Sequence, residues 1–264
     1  MRSVFVKGLR DQRRALIGFG IGTALMVLLE SALWPSIGNM ADLDQFLANY
    51  PESMRRLLDL QDFGTGSGFA NAELFSALVP ILFLAFAIAR GARSVAGEEE
   101  SGTLDVLLLT PVTTTRLVLE KAAALLAGLL ALGAVLYVAV LAGSLAFGMG
   151  IGPAELLPAV LSTVGLAFEF GCLALAVGAA TGRRGLAIGA ASAAAVGAYV
   201  LYVAGELVDA IRPWQVLSPF QQAMSDGPIG AGWQLGPVVL PLTGALLVAL
   251  ALPVFARRDI AVAH

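Results

Sequence analysis

The sequence contains very few of the side chains from which most enzyme active sites are built. Its only histidine is His264, and its only cysteine, Cys172, lies within an apolar run. There are two lysines, Lys7 and Lys121, and neither belongs to a G-x-x-x-x-G-K-[ST] loop. These absences exclude a zinc-protease motif, a Ser-His-Asp triad, a phosphate-binding P-loop and a disulfide framework in this sequence. We therefore expect no catalytic residues, no metal site and no cofactor bound by the chain itself.

Charged residues are scarce as well. Asp, Glu, Lys and Arg make up 13% of the 264 positions and hydrophobic residues 58%, against roughly 25% and 45–50% in soluble domains. This composition predicts an integral membrane protein, with the lipid bilayer as its surroundings. The small net charge of −3 gives no reason to expect nucleic acid as a partner.

Six apolar stretches are long enough to cross a bilayer as helices, which satisfy their own backbone hydrogen bonds in lipid. They lie near residues 15–34, 73–92, 118–147, 155–181, 185–208 and 235–256. The first follows a basic segment, as in a signal peptide, but it is longer and has no small-x-small cleavage site, so we expect it to be retained. The predicted fold class is an all-α membrane protein, with residues 1–264 forming a single transmembrane domain.

The distribution of positive charge predicts an orientation. If the N-terminus is cytoplasmic, thirteen lysines and arginines fall in cytoplasmic segments and three, Arg55, Arg56 and Arg212, fall outside. This bias predicts a multi-pass protein of the cell membrane with both termini in the cytoplasm. Residues 35–72 then form an outer loop, expected to hold two short amphipathic helices followed by a flexible connector, "FGTGSGFAN".

A polar interruption, "GEEESGTLDVLLLTPVTTTRLVLEK", separates the second and third spans at residues 97–121. Within it Leu104, Leu107 and Leu108 recur at helical spacing, and Pro111 follows them. The pattern indicates a short helix over 98–110 whose acids face water and whose leucines face a groove. A plain polar loop that lets the chain turn round fits the pattern equally well. The threonines at 113–115 are expected to cap the third span.

This stretch resembles the coupling-helix signature of ABC-2-type exporter permeases, E-E-x-x-G-T-L-[DE]-x-L-L-x-x-P-[VI]. The resemblance identifies ten candidate residues for docking to an ATPase: Glu98, Glu99, Glu100, Gly102, Thr103, Leu104, Asp105, Leu107, Leu108 and Pro111. Six spans, a large first outer loop and a basic N-terminal segment fit the same family over the whole sequence.

The resemblance implies a permease subunit of an ATP-driven exporter. A separate ABC ATPase subunit would bind ATP and Mg, receive the coupling helix and drive transport. The working unit would pair this chain with a second permease copy or a paralogue. A channel or secondary transporter that works without an ATPase is the alternative. Neither the residues nor the resemblance indicates which substrate is transported.

Two features within the spans also suggest roles. Glu169 falls near the centre of the fourth span, where a lone carboxylate costs on the order of 3 kcal/mol. It is either a pathway group that meets substrate or protons, or a hydrogen-bonded carboxyl that holds helices together. In the fifth span Gly185, Gly189, Ala193 and Gly197 recur every four residues. We expect this small-residue stripe to pack within the chain, with a subunit interface as the alternative.

Overall fold

The computed structural model describes residues 4–38, 62–102, 113–225 and 227–257, and within these ranges the chain is helical, without a β-strand. The α-helices in chain order are α1 (Val4–Ile37), α2 (Gly66–Ala70), α3 (Val79–Ser94), α4 (Ala96–Glu100), α5 (Thr114–Phe147), α6 (Pro153–Thr181), α7 (Arg184–Leu207), α8 (Pro219–Met224) and α9 (Gly236–Arg257). A π-helix (Asn71–Leu78) joins α2 to α3, and a 3₁₀-helix (Arg212–Leu217) precedes α8.

Six helical segments of the described chain are long and apolar enough to cross a membrane. They are α1, the continuous segment from Gly66 to Ser94, α5, α6, α7 and α9, which confirms the six predicted spans. Helices α1 and α5 have 34 residues each, whereas a bilayer crossing needs about 20. Both therefore extend well beyond one hydrocarbon thickness, and α1 begins as early as Val4.

Helix α6 is the centre of the bundle and packs against α3, α5, α7 and α9. Its many small residues let neighbouring backbones approach closely, which is how helices associate where lipid provides no hydrophobic drive. At the crossing with α3, a Cβ added to Gly91 would collide with the Gly171 carbonyl oxygen. At the crossing with α9, a Cβ added to Gly165 would lie 3.1 Å from Leu240 Cβ.

Helix α1 packs along α5 through buried polar residues. The Gln12 Nε2 donates a hydrogen bond of 2.7 Å to the Ala124 carbonyl oxygen, and the missing side chain of Gly128 makes room for Gln12. Ser31 sits against Gly143 in the same way, and its hydroxyl donates to the Val27 carbonyl oxygen at 2.7 Å. The buried side chains of Gln12 and Ser31 are therefore hydrogen-bonded inside the bundle.

The connector predicted to be flexible at residues 63–71 is instead well packed. Thr65 caps α2 by accepting a hydrogen bond of 3.0 Å from the Gly68 backbone N–H, and Phe69 is buried. The side chain of Asn71 exchanges two hydrogen bonds with the backbone of Ile229, of 3.1 and 2.9 Å. The glycines of this segment are typical of a flexible linker, but here they allow close contact between backbones. A Cβ on Gly66 would collide with the backbone of Met149. The predicted helices of the outer loop fall largely at 39–61, outside the described residues.

The glycine stripe of α7 does not pack within the described chain, so that expectation is wrong. Gly185, Gly189 and Gly197 are exposed, and a Cβ added to any of them would meet nothing within 4 Å. The face that packs on the bundle is displaced by two residues and consists of alanines: Ala187, Ala191 and Ala195. Both stripes have the same four-residue period, so periodicity alone could not tell which one faces the bundle.

Candidate coupling site at the charged end of the bundle

The predicted coupling helix, residues 98–110, is called the coupling segment below. Its acidic part belongs to helix α4, which follows α3 after a single residue, Val95. The helix ends at Glu100, and Gly102 has a φ of +66°, a left-handed conformation that favours glycine. Of the predicted helix over 98–110, residues 98–100 are helical, but the helix is interrupted after Glu100. The other predicted docking residues lie outside the described part of the chain: Thr103, Leu104, Asp105, Leu107, Leu108 and Pro111.

Glu98 lies at the centre of an ion-pair network that joins three helices. Its Oε1 lies 2.9 Å from the Nζ of Lys7 on α1 and 2.6 Å from the Nζ of Lys121 on α5. The side chain of Lys121 is only 5% exposed and that of Glu98 12%. The expectation that the acids face water is therefore wrong for Glu98. A buried lysine is costly without a counter-charge, and Glu98 supplies it to both lysines of the sequence.

Two further carboxylates connect this end of the bundle. Glu100 Oε1 accepts a hydrogen bond of 2.8 Å from the backbone N–H of Arg184, which links α4 to α7. Glu120 on α5 accepts one of 2.9 Å from the backbone N–H of Phe5 and another of 2.8 Å from Arg116 Nε. Phe5 is in the first turn of α1, where backbone N–H groups have no partner within the helix. Glu120 therefore fixes the beginning of α1 to α5.

The start of the third span is capped as predicted. The Thr113 hydroxyl accepts a hydrogen bond of 3.3 Å from the Arg116 backbone N–H. This arrangement sets where α5 begins, immediately after the end of the coupling segment.

A cavity of about 760 Å³ lies between α1, α3, α4, α5 and α7. Six basic side chains line it, Lys7, Arg14, Arg90, Arg93, Lys121 and Arg184, together with three acidic ones, Asp11, Glu98 and Glu100. The cavity is therefore net basic, and it opens directly beside α4. The sequence shows only that basic residues belong on one side of the membrane. Their convergence on one cavity depends on how four long helices pack.

Glu169 lies elsewhere, on α6 where α9 crosses it. A Cβ added to Gly244 of α9 would lie 3.1 Å from Glu169 Cα. The hydroxyl of the adjacent Thr243 donates to carbonyl oxygens of its own helix, those of Val239 and Leu240. The Oε2 of Glu169 is buried and has no hydrogen-bond partner among the described residues. Glu169 does not line the charged cavity. The structure places it at a helix–helix contact, and a pathway role remains a prediction.

With this geometry established, comparison with protein families identifies the chain. Residues 2–211, which include α1 to α7, match the family described as ABC-2 family transporter protein. The chain belongs to this family. It is thus the membrane-spanning permease component of a transporter, a multi-pass protein with the expected six apolar helices. ABC-2 permeases normally work with an ABC ATPase. Comparisons with curated proteins and with solved structures give no match.

Proposed function

We propose that this ABC-2 permease is the transmembrane subunit of an exporter driven by a separate ABC ATPase, and that residues 98–110 receive the force. The observation that carries the proposal is the bridging of α1, α4 and α5 by Glu98. Glu100 adds a link from α4 to α7. A displacement of the coupling segment would therefore reach three spans through short polar contacts.

The proposal gives the acidic and the leucine-rich parts of the segment different roles. Glu98 and Glu100 are engaged inside the chain and brace α4 against the spans. The proposed contact with the ATPase is then left to Leu104, Leu107 and Leu108. ATP and Mg would be bound by the ATPase, whose closure on ATP would draw the segment along and tilt the attached spans.

Orientation and pairing complete the proposed unit. The cavity beside α4 is lined by several basic residues, among them Lys7, Arg90, Arg93, Lys121 and Arg184. Because positive charge is concentrated on the cytoplasmic side of membrane proteins, this supports a cytoplasmic location for this end of the bundle. The exposed glycine stripe of α7 is a surface that a second permease could approach closely. Two permeases and two ATPases would form the transporter.

The double variant Leu104→Ala, Leu108→Ala tests the docking. Burying one leucine at an interface contributes roughly 1.5–3 kcal/mol, so docking to the ATPase should weaken more than about tenfold. The measurement is co-purification with a co-expressed ABC ATPase, together with ATP hydrolysis by the complex in liposomes.

Leu109→Ala is the matched control, because Leu109 lies in the same leucine run but off the predicted face. It should leave the complex intact. A double variant that binds the ATPase and hydrolyses ATP like the wild type would show that the segment only turns the chain. If no ATPase co-purifies with the wild type, a channel or secondary transporter becomes the better interpretation.

A further inference from the structure

The basic cavity beside α4 contains four arginines that the ion-pair network does not use, Arg14 on α1 and three on α3 and α7. Arg90 and Arg93 come from the end of α3, and Arg184 is the first residue of α7. Asp11, on α1, also lines the cavity. Within the described ranges none of the three forms an ion pair within 4.0 Å. Their convergence is a feature that a bound anion would explain.

Arg184 adds a second, independent observation. Its Nε is buried, and no described residue accepts a hydrogen bond from it. Guanidinium groups are planar, remain charged and match phosphate oxygens in pairs. The buried Nε of Arg184 can therefore donate a hydrogen bond to a ligand, because no described residue accepts one from it.

The location of the cavity indicates which class of anion fits. Arg90 and Arg93 lie in the last turns of α3 and Arg184 begins α7, so they lie at the ends of two candidate spans, where lipid headgroups are expected. On the side of α1 and α5, Ala15, Ala124 and Leu125 add apolar surface between the polar lining residues. Arginines combined with patches of apolar surface fit a ligand that joins a phosphate to hydrocarbon. The volume of about 760 Å³ is also within the usual range for ligand sites.

We propose that this cavity binds the phosphate-bearing headgroup of an anionic phospholipid, held by Arg90, Arg93 and Arg184. The site lies directly against Glu98 and Glu100. A bound headgroup would therefore stabilise the end of the bundle to which the coupling segment is attached. The proposal does not depend on docking to an ATPase, since lipid binding can be measured on the permease alone.

The first experiment uses the wild-type chain, purified in a neutral detergent. Short-chain phosphatidylglycerol, phosphatidylcholine with the same acyl chains, and inorganic phosphate are titrated separately while thermal unfolding is followed. Phosphatidylglycerol should raise the Tm with concentration, because a ligand that binds only the folded state stabilises it. The other two should have little effect at the same concentrations. Equal effects of both lipids would overturn the anion site, and an equal effect of inorganic phosphate would show a site for free anions.

The second experiment locates the site. Arg90→Gln combined with Arg93→Gln should lower the affinity for phosphatidylglycerol about tenfold or more, since each basic group contributes to attracting anionic lipid. Arg183→Gln is the matched control, because Arg183 is exposed, adjacent to Arg184 and absent from the cavity wall. Arg93 is itself exposed, so Arg93→Gln alone carries the test if the double variant fails to fold. Wild-type affinity in the folded variants would overturn the proposal.

Discussion

Lys121 Nζ lies 2.6 Å from Glu98 Oε1, and this contact joins the second turn of α5 to the acidic helix α4. The two residues are 23 positions apart in the sequence, and Lys7, 91 positions from Glu98, reaches the same oxygen. The carboxylate of Glu98 was expected to face water, but it forms ion pairs that connect α4 with α1 and α5. The reason is that Lys121 is buried and needs a counter-charge.

Glu98→Gln should destabilise the protein by roughly 3–5 kcal/mol, because it leaves the buried Lys121 cation without its partner. Lys121→Met should cost less, since it removes the buried charge instead of isolating it. Thermal unfolding in detergent measures both. Glu100→Gln is the control: glutamine keeps an oxygen that can accept from the Arg184 N–H. If Glu98→Gln and Glu100→Gln unfold at the same temperature, the ion pairs contribute no stability.

Gly91→Leu should destabilise the bundle by about 1–3 kcal/mol or more, because a side chain there collides with the α6 backbone at Gly171. The measurement is thermal unfolding of the purified chain. Gly18→Leu is a matched helical control on α1, where an added Cβ meets nothing within 4 Å. Equal stability of the two variants would mean that α3 and α6 do not cross as closely as the structure shows.

Glu169→Gln should change transport more than folding. Glutamine keeps the shape and most of the hydrogen-bonding capacity while it removes the charge, so we expect a stability change within about 1 kcal/mol. ATP hydrolysis by the reconstituted complex, measured across pH, should fall if the carboxyl takes part in the pathway. Thr243→Val removes the neighbouring hydroxyl and serves as the comparison for packing alone. If Glu169→Gln hydrolyses ATP like the wild type at every pH, Glu169 acts in helix packing and not in the transport pathway.

The predicted orientation can be tested with single cysteines in a Cys172→Ala background. Asn49→Cys in the outer loop and Ser101→Cys after α4 should react with a membrane-impermeant thiol reagent from opposite sides. Intact cells should label the first variant, and labelling of the second should require permeabilised cells. Reaction of both variants in intact cells would refute the assignment of both termini to the cytoplasm.

The sequence by itself determined the class of protein, the six spans and the family. Apolar runs of bilayer length have to be helices, because lipid offers no partner for backbone groups. The coupling signature is a local pattern of spacing, so the resemblance could be read without knowing the fold, and the match over residues 2–211 confirms it. The cap at Thr113 was also predictable, since an N-cap depends only on residues nearby in the chain.

Only the tertiary structure decided which groups meet. Two stripes of small residues on α7 have the same period, and the packing of α7 on α6 and α3 buries the alanines and leaves the glycines exposed. Glu98 pairs with Lys7 and Lys121, which belong to two other helices. The cavity likewise brings together arginines from separate helices, Arg90 and Arg93 from α3 and Arg184 from α7. Such contacts depend on helix rotation and tilt, which are set by close packing against neighbours and leave no local signal in the sequence.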